Sequence, residues 1–219
     1  MQTRHRRTIY AAKHFYSGTP DVQIILTTPA NPDLHSFSRE LQSTLETGLV
    51  SVLLIKKAQL DLPDYKELVE QVRPIAQTYD CAVLLDNEPK LVHALNADGV
   101  QISTSHADVL EALNLLKPEY IVGAANINSR HQAMLCGEAG VDYLAFGDFT
   151  NSPDEDAMAL SKWWAELFEV PCAVFDPTTK TNRIEFGAWE FQGLGENLWN
   201  GATPAAKALK SLSARQQKN

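Results

Sequence analysis

Within residues 82–106, AVLLDNEPKLVHALNADGVQISTSH, two apolar runs of strand length (82–85 and 99–102) flank a stretch (89–95) whose Leu91, Val92 and Leu95 fall at helical spacing. A strand, a short helix and a second strand in so little sequence imply a βαβ unit, and a crossover this short implies a small, tightly wound barrel of parallel strands. Each run stops at polar residues: Asp86 and Asn87 in one case, Ser103, Thr104, Ser105 and His106 in the other. The carboxyl ends of parallel strands are where such folds place ligands, so chemistry is expected on that edge.

The same alternation runs along the rest of the chain. Residues 22–27 read as a buried strand, followed by Asn31 and Pro32 as cap and first-turn proline of an amphipathic helix ending near Leu45. A second strand spans 49–55. Asp61 and Pro63 open a helix over 65–78 whose Leu68, Val69, Val72, Ile75 and Ala76 form one stripe. Beyond the opening unit come a helix over 106–116 capped by Ser105, a strand over 120–123, a helix over 129–138 and a strand over 143–146. Ser152-Pro153-Asp154-Glu155 reads as a capping box for a helix carrying Trp163 and Trp164. A strand at 172–175, a weak helix at 179–185, a strand at 189–194 and an Ala-rich tail helix complete eight strand and helix pairs.

No linker interrupts this order. The expectation is an α/β fold, a single (β/α)8 TIM-barrel domain over residues 20–219 with a basic N-terminal extension over 1–19. An open doubly wound sheet would want a glycine-rich turn after the first strand, and Thr27-Thr28-Pro29-Ala30 has none.

The formal charge of −8 conceals an uneven distribution. The first 19 residues carry Arg4, Arg6, Arg7 and Lys13 and the last 18 carry Lys207, Lys210, Arg215 and Lys218, with no acid in either segment. The body over 20–201 therefore holds 11 basic residues against all 27 acidic ones, a net charge of −16. Such a body repels nucleic acid and anionic membrane, and a small-molecule ligand is expected instead, with self-association into a homo-oligomer left open. Neither a membrane span nor a secretory signal is visible. Cys81, Cys136 and Cys172 are far apart and sit in or beside apolar segments, which reads as buried free thiols in the reducing cytoplasm.

Several blocks resemble one family. Ala97-Asp98-Gly99-Val100-Gln101 resembles the A-D-G-V-H strand of the thiamine-phosphate synthases and their thiazole tautomerase relatives. Ala139-Gly140-Val141-Asp142-Tyr143, leading to Gly147, resembles their A-G-A-D-Y strand, and Gly48 followed by a strand and Lys57 resembles G-V…Q-L-R-E-K. The resemblance spans roughly residues 20–200. It implies a (β/α)8 barrel that joins a pyrimidine diphosphate to a thiazole phosphate in thiamine biosynthesis, with Mg2+, releasing diphosphate. If active, the chain would then be a transferase of that type.

The positions that carry chemistry in the family differ here. Its Q and R align with Leu53 and Ile55, leaving Lys57 for the lysine; its N-D-R aligns with Asp86-Asn87-Glu88, and its second metal aspartate with His106. The serine after strand five aligns with Ala125, beside Asn126; the G-P-x-F-x-T block becomes Gly147-Asp148-Phe149-Thr150-Asn151; and the phosphate-cradling glycine pair aligns with Asp176-Pro177, before Thr178. Lys57, Asp86, Asn87, His106, Asn126, Asp148, Asp176 and Thr178 are thus the ligand-binding candidates, with Asp86 the metal candidate.

Magnesium takes hard oxygen ligands, and two aligned carboxylates have gone. Pro177 has no N–H to offer phosphate, and Asp176 adds negative charge. Like charges about 4 Å apart repel by about 4 kcal/mol at an effective dielectric of about 20. The sequence therefore points to an altered or lost diphosphate and metal site. The alternative is a non-catalytic pseudoenzyme with a regulatory or scaffolding role. Each candidate also has a plainer reading: Lys57 as a strand-end ion pair, Asp86 and Asn87 as turn caps before Pro89, His106 as a first-turn helix residue.

Overall fold

The computed structural model describes residues 23–147, 155–176 and 189–216. Eight parallel strands close into a barrel in chain order: β1 (Gln23–Thr27), β2 (Val50–Ile55), β3 (Ala82–Asp86), β4 (Gly99–Ile102), β5 (Ile121–Ile127), β6 (Tyr143–Phe146), β7 (Cys172–Asp176) and β8 (Phe191–Leu194), with β8 paired to β1. Outside lie α1 (Leu34–Leu45), α2 (Leu62–Thr78), α3 (His106–Leu116), α4 (Arg130–Glu138), α5 (Glu155–Leu167) and α6 (Ala205–Gln216). The weak helix expected over 179–185 and residues 1–22 lie outside the described residues, as do Ser152, Pro153 and Asp154 of the capping box.

The pleat divides the apolar residues into two cores. Ile25, Val52, Leu54, Leu84, Ile121, Tyr143, Ala173, Phe175 and Phe191 fill the barrel interior. Their strand neighbours, among them Leu53, Ile55, Val83, Leu85, Leu144 and Val174, face the helices in the larger outer core. The interior is filled by rings, and this sets the glycines. A Cβ at Gly123 would run into the Tyr143 ring, and one at Gly193 into the Phe175 ring.

Asp98 donates its N–H to the Val83 carbonyl (2.8 Å) while its carboxylate accepts the Val83 N–H (2.8 Å). Asp142 does the same with Val122, at 2.8 and 2.7 Å. Glu190 accepts the Cys172 N–H at 3.0 Å. An acid just before β4, β6 and β8 thus ties each of these strands to the start of the preceding one, satisfying backbone groups that have no ladder partner there.

Three local expectations are corrected. The α1 cap is Asp33, not Asn31: its carboxylate accepts the Ser36 N–H at 2.9 Å, which leaves Pro32 outside the helix. The helix expected over 89–95 is a single 3-10 turn, Pro89–Leu91, followed by turns. Val92 and Leu95 are still buried, so the apolar spacing serves the core without a helix. Strand β5 runs four residues beyond Gly123, with its register slipping between Ala124 and Ile127 around Asn126, whose φ is 58°. The caps expected at Asp61 and Ser105 are found, each side chain accepting the backbone N–H three residues on, and Ser129 caps α4 in the same way. All three cysteines are buried.

Candidate site at the carboxyl ends of strands two to four

Strands β2 and β3 end beside each other, and the pleat decides which lysine faces which acid. Val52 and Leu54 point inward, whereas Leu53 and Ile55 face the helices. Lys56 continues the inward series, and its Nζ lies 3.2 Å from Asp86 Oδ2. Lys57 pairs through its ammonium with Glu88 on the rim, and its backbone N–H donates to Asp86 Oδ2 at 3.1 Å. Positions 53 and 55 therefore do not face the barrel interior, and the lysine that does is Lys56, which the one-residue offset in the sequence comparison conceals.

Asp86 is 5% exposed. Besides Lys56 and the Lys57 N–H, it accepts the Asn87 side-chain amide at 2.9 Å through Oδ1. The Tyr65 hydroxyl accepts the Asp86 N–H and donates to the Ile55 carbonyl, both at 2.9 Å, which locks the ends of β2 and β3 together. Burial pushes the Tyr65 phenol well above its usual pKa, so it acts as a neutral donor. Asn87, at φ 55°, staples β3 to β4: its Oδ1 accepts the Ser103 N–H at 2.7 Å, its Nδ2 donates to Ser103 Oγ at 2.9 Å, and its own N–H donates to the Gln101 carbonyl at 3.0 Å.

Beneath this layer sits Gln101, 0% exposed and in register with Asp86. The Tyr143 hydroxyl donates to its Oε1 at 2.8 Å, while its Nε2 has no partner among the described residues. Burial first, then the negative charges of Asp142 and Asp86, raise the Tyr143 pKa. Gln101 stands where the resembled A-D-G-V-H strand has its histidine. The substitution is visible in the sequence, but only the inward orientation of its side chain gives it weight.

Of the eight candidates, Lys57, Asp86 and Asn87 meet in one hydrogen-bonded cluster. His106 does not join them. Its Nδ1 lies 3.8 Å from Cys136 Sγ, across the seam between α3 and α4. Asn126 is exposed at the bulge of β5. Asp148 and Thr178 lie outside the described residues, and of Asp176 only the backbone is described, as the last residue of β7. Lys56, Tyr65, Glu88, Ser103 and Gln101 complete the cluster and are not among those eight; of them, the sequence gives no sign at all of Lys56 or Tyr65. A lysine doublet and a helix tyrosine carry no signal of which strand end they reach.

The fit to magnesium is poor among the described residues. No three His, Cys, Asp or Glu side chains come together as an ion would need. Asp86 already accepts from three donors, and the Asn87 oxygen is taken by the Ser103 N–H.

Residues 24–186 match the family model described as thiamine monophosphate synthase. The chain is similar to the thiamine-phosphate synthase of Rhodospirillum centenum, 34% identical over 203 residues covering 88% of this chain and 97% of that protein. It is also similar to that of Hyphomonas neptunium, 31% identical over 202 residues covering 87% and 91%. Its fold superposes on the thiamine phosphate pyrophosphorylase of Pyrococcus furiosus with a TM-score of 0.74, at 18% identity, over 91% of this chain and 97% of that one. No described helix is long and apolar enough to cross a membrane. With the family model matching most of the barrel and relatives aligned along nearly their whole length, the chain belongs to the thiamine monophosphate synthase family, as a distant member.

Proposed function

We propose that this barrel keeps the family's scaffold and a small-molecule site at the carboxyl ends of its strands, but has an altered diphosphate and magnesium site. It then takes a smaller, less phosphorylated ligand than the pyrimidine diphosphate of the family reaction. The observation that carries this reading is the state of Asp86. Its carboxylate is consumed by Lys56, the Lys57 N–H and Asn87, so neither the carboxylate nor its lysine stands ready for a metal-bound diphosphate. Lys57 is likewise committed to Glu88. Buried cysteines at 81, 136 and 172, far apart in the sequence, suit a reducing, cytoplasmic setting. In this reading residues 20–219 act as one unit, and 1–19 are an appendage to it.

Isothermal titration decides the matter. The pyrimidine diphosphate with magnesium is expected to bind no better than the corresponding unphosphorylated pyrimidine alcohol. Tight, magnesium-dependent binding of the diphosphate, followed by turnover with the thiazole phosphate, would overturn the reading.

The second reading is a pseudoenzyme with a regulatory or scaffolding role, and the wiring of Asn87 favours it. This residue stands where the family's metal aspartate aligns, and both ends of its amide are spent joining β3 to β4. A pull-down with the intact chain and with residues 1–19 removed separates the two readings. Loss of a partner on removal supports the second, and measurable turnover sinks it.

A further inference from the structure

Seven large apolar side chains are exposed among the described residues, and five of them, Leu110, Met134, Leu135, Leu167 and Phe168, lie on α4 or on the helices to either side of it. Ala133 and Cys136 set the buried face of α4. At about 3.6 residues per turn, His131, Met134, Leu135 and Glu138 then form the stripe that points away from the barrel, and all four are exposed. On one side α3 adjoins through His106 against Cys136, and Leu110 follows His106 by one turn on the same flank. On the other side α5 adjoins: the Arg130 guanidinium lies over the Trp163 ring at 4.8 Å, Leu167 follows Trp163 by one turn, and Phe168 stands edge-on to the same ring at 5.4 Å. Apolar side chains spread across three neighbouring helices mark an interaction face. The charges of α4 point the same way. Arg130 and His131 occupy its first turn, which holds no acid, and Glu138 closes its last, the reverse of what the helix dipole favours. An antiparallel copy of the same helix meets each of these ends with the opposite charge.

We propose that this face is the seat of a two-fold homodimer, in which α4 packs antiparallel on α4 of a second copy about an axis between Met134 and Leu135. Met134 of each copy then meets Leu135 of the other, and Arg130 and His131 stand opposite Glu138. The body over 20–201 carries −16, so two copies repel unless they meet where charges cancel, and the outer side of α4 sets two basic residues against one acid. Exposures of 36–65% on the five side chains amount to about 400 Å² of apolar surface, and a standard interface covers about 800 Å² on each partner, a little over half of it apolar. Apolar burial supplies the affinity, while the charges at the helix ends fix the antiparallel register. The inference goes beyond the functional reading above, since it concerns the flank of the barrel and holds whichever ligand the strand ends accept.

The test is sedimentation equilibrium of the full-length chain. At about 100 μM the wild type is expected at twice the chain mass and Met134→Glu/Leu135→Glu at the chain mass, with unchanged far-ultraviolet dichroism because both positions face solvent in the single copy. Glu138→Arg sets like charges opposite each other twice over and is expected to weaken association about tenfold, and Arg130→Glu/Glu138→Arg to recover it. Met134→Cys treated with a short bismaleimide is expected to give a covalent dimer, since the native cysteines are buried. Leu115→Cys, exposed on the opposite flank of α3, is expected to give none. A wild type that stays at the chain mass, a dimer untouched by the two glutamates, a charge reversal that the double exchange does not rescue, or cross-linking no greater at Met134→Cys than at Leu115→Cys would overturn the inference. A dimer lost on removal of residues 1–19 would also overturn it, assigning the association to that extension.

Discussion

Asp142 shows how much a single side chain holds in this barrel. Its carboxylate accepts the Val122 N–H and pairs with Lys117, while its own N–H reaches the Val122 carbonyl. Asp142→Ala therefore leaves a strand-start N–H and a lysine without their partner, and urea denaturation is expected to show a loss of about 1.5–3 kcal/mol. The acidic residues of the blocks most alike to the family, Asp98 and Asp142, are these staples, so the resemblance is strongest where it reports architecture and not chemistry. Two tyrosines give a pH signature. Burial raises the pKa of both Tyr65 and Tyr143, so the unfolded chain releases their protons near pH 10.0 while the folded chain retains them. The stability they contribute is complete below that pH and is lost as the pH rises beyond it, by about 1.4 kcal/mol per pH unit for each tyrosine. Chemical denaturation between pH 9 and 11, values chosen to bracket the free-tyrosine pKa of about 10, is expected to show this slope, flattened in Tyr143→Phe.

At the scale of strands and helices, the pleat is the deciding variable. Alternation of Leu84 inward with Val83 and Leu85 outward makes Asp86 a lumen residue, and the same rule promotes Lys56 over Lys57. The strands themselves are legible, because each is a short apolar run ending in polar residues. Their facing is not, since a strand buried on both faces shows no hydrophobic alternation from which to read it. The 3-10 turn at Pro89–Leu91 reads as a helix in the sequence for a related reason: apolar spacing records burial, and Leu91, Val92 and Leu95 are placed in or against the outer core by a turn as well as by a helix. Ring packing in the lumen yields the prediction proper to this scale. Gly193→Ala sets a methyl into the Phe175 ring and Gly123→Ala one into the Tyr143 ring. Each is expected to destabilise by about 1–3 kcal/mol, with a changed near-ultraviolet dichroism that reports the displaced ring.

For the molecule as a whole, closure of the barrel joins the two ends of the sequence, and this long-range fact is the one that local reading cannot supply. Eight alternating pairs predict a barrel, yet nothing in Gly201 or the residues after it says that the tail packs against the first helix. In the structure the Trp199 indole donates to the Thr27 carbonyl at 2.6 Å, and its ring meets Phe37 of α1 edge-on at 5.0 Å. Glu196 accepts the Ala30 N–H at 3.1 Å, and Ala205 and Leu209 of α6 are fully buried. The β8 to β1 seam is therefore held by side chains from beyond the last strand. Two changes separate this lock from the rest of the fold. Trp199→Ala removes a buried ring and leaves the Thr27 carbonyl without its donor, with an expected loss of about 3–5 kcal/mol in denaturant unfolding. Removal of residues 196–219 strips the whole lock and is expected to abolish the cooperative thermal transition. Removal of residues 1–19 touches none of these contacts and is expected to leave the transition in place. A cooperative melt in the chain lacking 196–219, at a midpoint near that of the intact protein, would show instead that the strand ladder closes the barrel unaided.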